Sequence, residues 1–68
     1  SIIEKMMNIA RVPTAPPAIM GVVNLRGEII PILDLRKRFD MPAREPDDDT
    51  RIIIFRMGEL VMGMLVDR

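Results

Sequence analysis

Four consecutive apolar residues, Ile52-Ile53-Ile54-Phe55, stand between charged neighbours and set the hardest condition on this chain. β-Branched residues favour an extended backbone in which neighbours point to opposite faces, so the run presents apolar side chains on both sides of a sheet. It reads as a strand over residues 50–56, buried on both faces. A chain of 68 residues has little to cover it with. At that size, folding hides only about 60% of the surface that the unfolded chain exposes. Disulfides or a bound metal are the usual remedies, yet the sequence has no cysteine and no histidine. What remains is tight packing or association with another chain.

The same two absences remove Cys- and His-based nucleophilic catalysis, His acid–base chemistry and the usual structural zinc sites. Ten basic and ten acidic side chains give zero net charge, which disfavours a general nucleic-acid binder. No apolar run approaches the roughly 20 residues needed to span a bilayer, and Pro31 interrupts the longest one. The opening SIIEKMMNIAR mixes charges with apolar residues and lacks a small-residue cleavage site, unlike a signal peptide. A cytoplasmic chain without direct membrane contact fits these features. Only Phe39 and Phe55 are aromatic, against seven methionines, which suit irregular core gaps and adaptable surfaces alike.

Along the chain, residues 1–12 read as strand at both ends with a break near residues 4–8. PTAPP reads as a rigid, polyproline-like connection, and Pro17 as the first residue of a single helical turn. Gly21 opens the strand GVVNL, Arg26-Gly27 bends it with Gly27 at positive φ, and EIIPIL returns. Pro31 lacks an amide hydrogen and is expected on an edge or at a bulge. Asp34 caps a short helix, LRKRF. After a polar loop comes the strand over residues 50–56, then a turn at Met57-Gly58-Glu59, and LVMGMLV returns. Short strands at turn spacing predict an all-β fold of the small-barrel kind. So few strands leave bare edges, which predicts pairing with a second copy.

Few residues offer chemistry. Asp47-Asp48-Asp49 lacks the alternating spacing with which oxygens wrap a cation, and reads as a solvated turn. Arg36-Lys37-Arg38 suits a helix C-terminus, or the rim of a site for an acidic partner. Gly63 weakens its strand, which suggests a bulge or close approach of a neighbouring backbone. Arg26 is the open case. An arginine at a bend is unremarkable surface, yet beside apolar strands it can bury its stem and offer a planar fork to a partner. Physics alone leaves both readings standing.

The stretch PxxPPxxxGVVNLRGEIIPILDLRKRF, followed by TRIIIF and GELVMGMLVD, resembles the CheW-like domain of bacterial chemotaxis. That family carries G-V-x-N-L-R-G-x-I-x-P-I-x-D-L-R-x-x-F, and Gly21, Asn24, Leu25, Arg26, Gly27, Pro31, Asp34, Leu35, Arg36 and Phe39 fall in register with it. Met62-Gly63 through Val66-Asp67 match its VGxxVD element. The resemblance implies a pair of small five-stranded SH3-like β-barrels, of which residues 1–68 form a partial domain without the opening and closing strands. It further implies an adaptor with no catalysis, cofactor or metal. Such an adaptor binds the regulatory domain of the chemotaxis histidine kinase and the cytoplasmic tip of chemoreceptors. Carried over, Gly21 and Arg26 fall at partner-binding positions, Asn24 and Gly27 hold the turn, and Asp34 anchors the helix. NLRG with DLR is more like the freestanding and receiver-fused forms than the kinase's own domain. The rival reading is a small nucleic-acid-binding barrel using Arg36, Lys37 and Arg38.

Overall fold

A computed structural model describes residues 2–67; Ser1 and Arg68, the limits of the expected partial domain, lie outside the described residues. Five strands form one antiparallel-rich sheet: β1 (Ile2–Lys5), β2 (Ile19–Leu25), β3 (Glu28–Leu33), β4 (Thr50–Met57) and β5 (Leu60–Asp67). A four-residue helix, α1 (Leu35–Arg38), follows β3. The strand order is β1-β4-β5-β3-β2, with β3 and β5 running parallel. The all-β expectation holds, with the short helix where it was expected.

The chain's own N-terminal segment closes the barrel. β1 pairs with β4 at one edge of the sheet. A few residues later Ala10 bridges Val22 at the other edge, its N–H and carbonyl each bonded to Val22 at 2.9 Å. Inside sit Val23, Ile30, Ile32, Ile52 and Ile54, all 2% exposed or less. Met6, Met7, Ile9, Met20, Leu25, Val61 and Leu65 pack around them. Met6 and Met7 are therefore both half-buried core fillers.

The apolar run behaves differently from its sequence reading. Ile52 and Ile54 are buried, while Ile53 and Phe55 are only half covered. Strand alternation puts one pair inside the barrel and the other on its outer surface, where this chain has no second layer to lay over them. Pro31 also departs from expectation, because β3 lies between β5 and β2 rather than at an edge. Val22, opposite Pro31, turns its own amide and carbonyl toward Ala10. The ring nitrogen of Pro31 thus faces away from β2, and pairing with β5 starts only at Ile32, so no ladder bond is lost. The bulge sits in β2, between Ile19 and Gly21.

PTAPP is not extended. Ala15 N–H donates to the Val12 carbonyl at 3.0 Å and Ile19 N–H to the Pro16 carbonyl at 2.9 Å. These are two successive β-turns with Pro13 and Pro17 in the second position, where the fixed proline φ fits. Pro17 therefore starts a turn rather than a helical turn. Gly63 faces inward, and a Cβ there would come within 2.7 Å of Ile32 Cδ1 and 3.1 Å of Ile52 Cγ2. Side chains, not a neighbouring backbone, crowd this position, and the tip of Ile32 would have to shift to admit a Cβ.

Candidate functional site

Both hairpin turns leave the barrel at the same end. β4 is antiparallel to β5 and β5 parallel to β3, so β4 runs alongside β2 in direction, and both finish together. Each turn has two central residues, Arg26-Gly27 between β2 and β3 and Gly58-Glu59 between β4 and β5. Arg56 at the end of β4 joins the turns by donating to Glu28 Oε2 at 3.0 Å and Oε1 at 2.6 Å. That fork holds the Glu28 carboxyl below its ordinary range and raises the pKa of the Arg56 guanidinium. Three large apolar side chains lie exposed beside the turns: Ile29 (59%), Met57 (64%) and Leu60 (50%).

Arg26 stands on this end with φ of +53°, and Gly27 follows at +85°. Two positive values make a type I′ turn, whose twist suits a hairpin and whose usual residues are Asn-Gly or Asp-Gly. Sequence placed only Gly27 in this region. For an arginine the left-handed conformation costs about 1 kcal/mol. Asn24 supports the turn, its Oδ1 accepting from Gly27 N–H at 2.9 Å. The Arg26 side chain is 79% exposed and meets Glu4 only at 4.0 Å. Its planar fork is nearly unclaimed.

The opposite end holds its charges differently. Asp34 Oδ1 accepts from Arg36 N–H at 3.0 Å, which caps α1 as expected. Arg36 and Arg44 both donate to Asp67 Oδ2, at 2.8 and 2.9 Å. Arg44 also reaches Asp47 Oδ2 at 3.3 Å. Asp47 Oδ1 accepts from Asp49 N–H at 2.8 Å, which with help from Arg44 lowers the Asp47 pKa. The triple aspartate is thereby a turn clasped to the barrel. Among the described residues, no group of three or more His, Cys, Asp or Glu side chains could hold a metal ion. Of the basic run, Arg36 is tied to Asp67, and the Arg38 guanidinium lies 5.2 Å from the Phe39 ring centroid.

Gly21 is buried, and a Cβ built there would collide with the Ala10 carbonyl oxygen. It allows the N-terminal segment to cross β2. The structure brings Asn24, Arg26 and Gly27 together at the turn end, with Gly21 lower on the same strand and Asp34 at the far end. Sequence reading passed over Glu4, Glu28, Arg56, Ile29, Met57 and Leu60. One signal was legible: apolar residues flanking both sides of a two-residue turn cannot all be buried. The Glu28–Arg56 pairing, 28 residues apart, left none.

One strained, charged turn beside exposed apolar side chains at the end of a small barrel defines a class, the small β-barrel modules. The CheW-like domain family matches residues 1–68, and this chain belongs to that family. It is 48% identical over 65 residues to chemotaxis protein CheW of Bacillus subtilis (strain 168), covering 96% of this chain and 42% of that protein. To CheW of Helicobacter pylori it is 36% identical over 66 residues, covering 97% and 40%. The crystal structure of the scaffolding protein TtCheW from Thermoanaerobacter tengcongensis superposes with a TM-score of 0.86 at 41% identity, over 97% of this chain and 43% of that one. The chain thus spans less than half the length of these relatives. Among the described residues no helix is long and apolar enough to cross a membrane.

Proposed function

We propose that this chain is part of a non-catalytic cytoplasmic adaptor that couples chemoreceptors to the chemotaxis histidine kinase, with the Arg26 turn as a contact surface. The observation that carries this reading is Arg26 itself. An exposed arginine is kept in a strained backbone conformation with, among the described residues, only Glu4 near it, at 4.0 Å. Backbone strain persists where surrounding structure enforces it and is concentrated at functional positions. Similarity to proteins named for chemotaxis, one of them called a scaffolding protein, supports the adaptor. The kinase regulatory domain and the receptor cytoplasmic tip are the partners this reading assigns. Gly21 contributes indirectly, by fixing the segment that lies over it. Self-association of the isolated chain stays part of the proposal. The nucleic-acid alternative is set aside, because Arg36 is committed to Asp67.

The test is calorimetric titration of a protein carrying this chain at the length of its relatives against each partner, with circular dichroism as a folding control. Arg26→Glu is expected to weaken binding to at least one partner while leaving the fold intact. Arg26→Ala is expected to change folding stability by less than about 0.5 kcal/mol, as for other surface substitutions. Unchanged binding to both partners would move the contact elsewhere on the barrel.

A further inference from the structure

The two hairpins of the barrel are laced together by backbone at one end only. Pairing between β3 and β5 is confined to Ile32 with Gly63 and Leu33 with Met64, at the α1 end. Towards the turns, residues 28–31 of β3 and 60–62 of β5 run without a ladder between them. Backbone pairing therefore does not set the distance from the Arg26 turn to the turn of the other hairpin.

Alternation puts Glu28 and Arg56 on the inner surface at this open end. Glu28 lies two residues from Ile30 and Arg56 two from Ile54, and both isoleucines are buried in the core. Their cross-strand partners, Leu25 and Val61, pack against that core. Glu28 and Arg56 thus reach over the core from one hairpin to the other and meet in their two-bonded fork. Among the described residues it is the one side-chain hydrogen-bonded link between the two hairpins. Both side chains are about half in water, 41% and 55% exposed, and a pair so exposed adds little to stability. What a two-point fork supplies is orientation as well as distance. Glu28 directly follows Gly27 and Arg56 directly precedes Met57, so the fork grips one leg of each turn.

We propose that Glu28 and Arg56 are a positioning pair for partner binding, setting the Arg26 turn against Met57 and Leu60 without touching the partner themselves. This rests on the reading of the Arg26 turn as a contact surface. Without the fork the two turns move independently, and a partner engaging Arg26 must first order them.

A protein carrying this chain at the length of its relatives tests this, titrated against the kinase regulatory domain and the receptor tip with circular dichroism alongside. Arg56→Gln should weaken binding to the partner that Arg26→Glu affects by about three- to tenfold, with an unchanged spectrum. Glu28→Arg combined with Arg56→Glu should restore it, since the reversed pair rebuilds the fork. In a protein that already carries Arg26→Ala, Arg56→Gln should have no further effect, because the pair acts only through the turn. An equal loss on both backgrounds, without rescue by the reversed pair, would overturn positioning and make Arg56 a contact in its own right. Binding that ignores Arg56→Gln but falls with Arg26→Glu would also overturn it, and leave the Arg26 contact standing. Binding that ignores both would remove the contact surface, and the positioning with it.

Discussion

The two ends of the barrel are assembled from similar parts, arginines, carboxylates and short turns, and treat them in opposite ways. At the α1 end, Arg36 and Arg44 share one oxygen of Asp67, and Arg44 also holds Asp47. A partner seeking those guanidinium groups would first have to displace their carboxylates. At the turn end, Arg56 is likewise committed to Glu28, but Arg26 is held 4.0 Å from Glu4 with its side chain mostly in water. The committed pairs fix the positions of loop and turns. The Arg26 fork stays largely in water. Two arginines with the same chemistry thus differ in what already surrounds them.

The widest break in this comparison comes from Gly21→Ala, which affects both ends by opening the barrel between them. The new Cβ would meet the Ala10 carbonyl, so the crossing segment must lift off β2. Overpacking of this kind costs about 3 kcal/mol at its upper end. Thermal unfolding followed by circular dichroism should show a large drop in Tm. An unchanged Tm would mean that residues 6–10 do not close the barrel.

Thr50→Val confines the damage to the clasped end. Thr50 is 4% exposed, and its hydroxyl accepts from Asp47 N–H at 2.8 Å. Losing that acceptor costs about 1 kcal/mol, measurable by urea denaturation, while partner binding at the turn end stays unchanged. A loss of binding would show that the ends are coupled. Arg26→Asn reverses the pattern. Asparagine tolerates the left-handed conformation and makes the favoured Asn-Gly turn, so stability should rise by about 0.5 kcal/mol. Binding should fall in the same protein. A destabilised Arg26→Asn protein would make the arginine structural and remove the contrast between the ends.

What could be read beforehand follows the range of the interactions. The turn at Arg26-Gly27, the Asp34 cap and the four main strands depend on residues a few positions apart, and all are where the sequence put them. The positive φ of Arg26 was hidden, because nothing about an arginine announces it. Misplacements arose wherever a distant segment decided. Pro31 avoids an edge because β5 joins one residue later. Arg36 is removed from the basic rim by Asp67, 31 residues on. The apolar run from Ile52 to Phe55 was expected to be covered on both faces, and alternation leaves its outer half, Ile53 and Phe55, only half covered.

Acid gives the smallest and most symmetrical test of the two ends. Glu28 at the turn end and Asp47 at the clasped end both have lowered pKa values, the first through the hydrogen bond from Arg56, the second chiefly through the N–H of Asp49. A carboxyl whose pKa is lower folded than unfolded binds fewer protons in the native state, so stability rises with pH across that interval. The contribution is present above the unfolded values near pH 4 and is lost as pH falls through the folded ones. Both groups are solvent-exposed, so the loss is modest and shrinks further in high salt. Tm measured from pH 7 to pH 3 should decline below about pH 4. Glu28→Gln and Asp47→Asn should each flatten the decline, because each removes one titrating group. If only Asp47→Asn does so, the Glu28–Arg56 pair contributes nothing to holding the turns together, and the turn end is kept in place by its backbone alone.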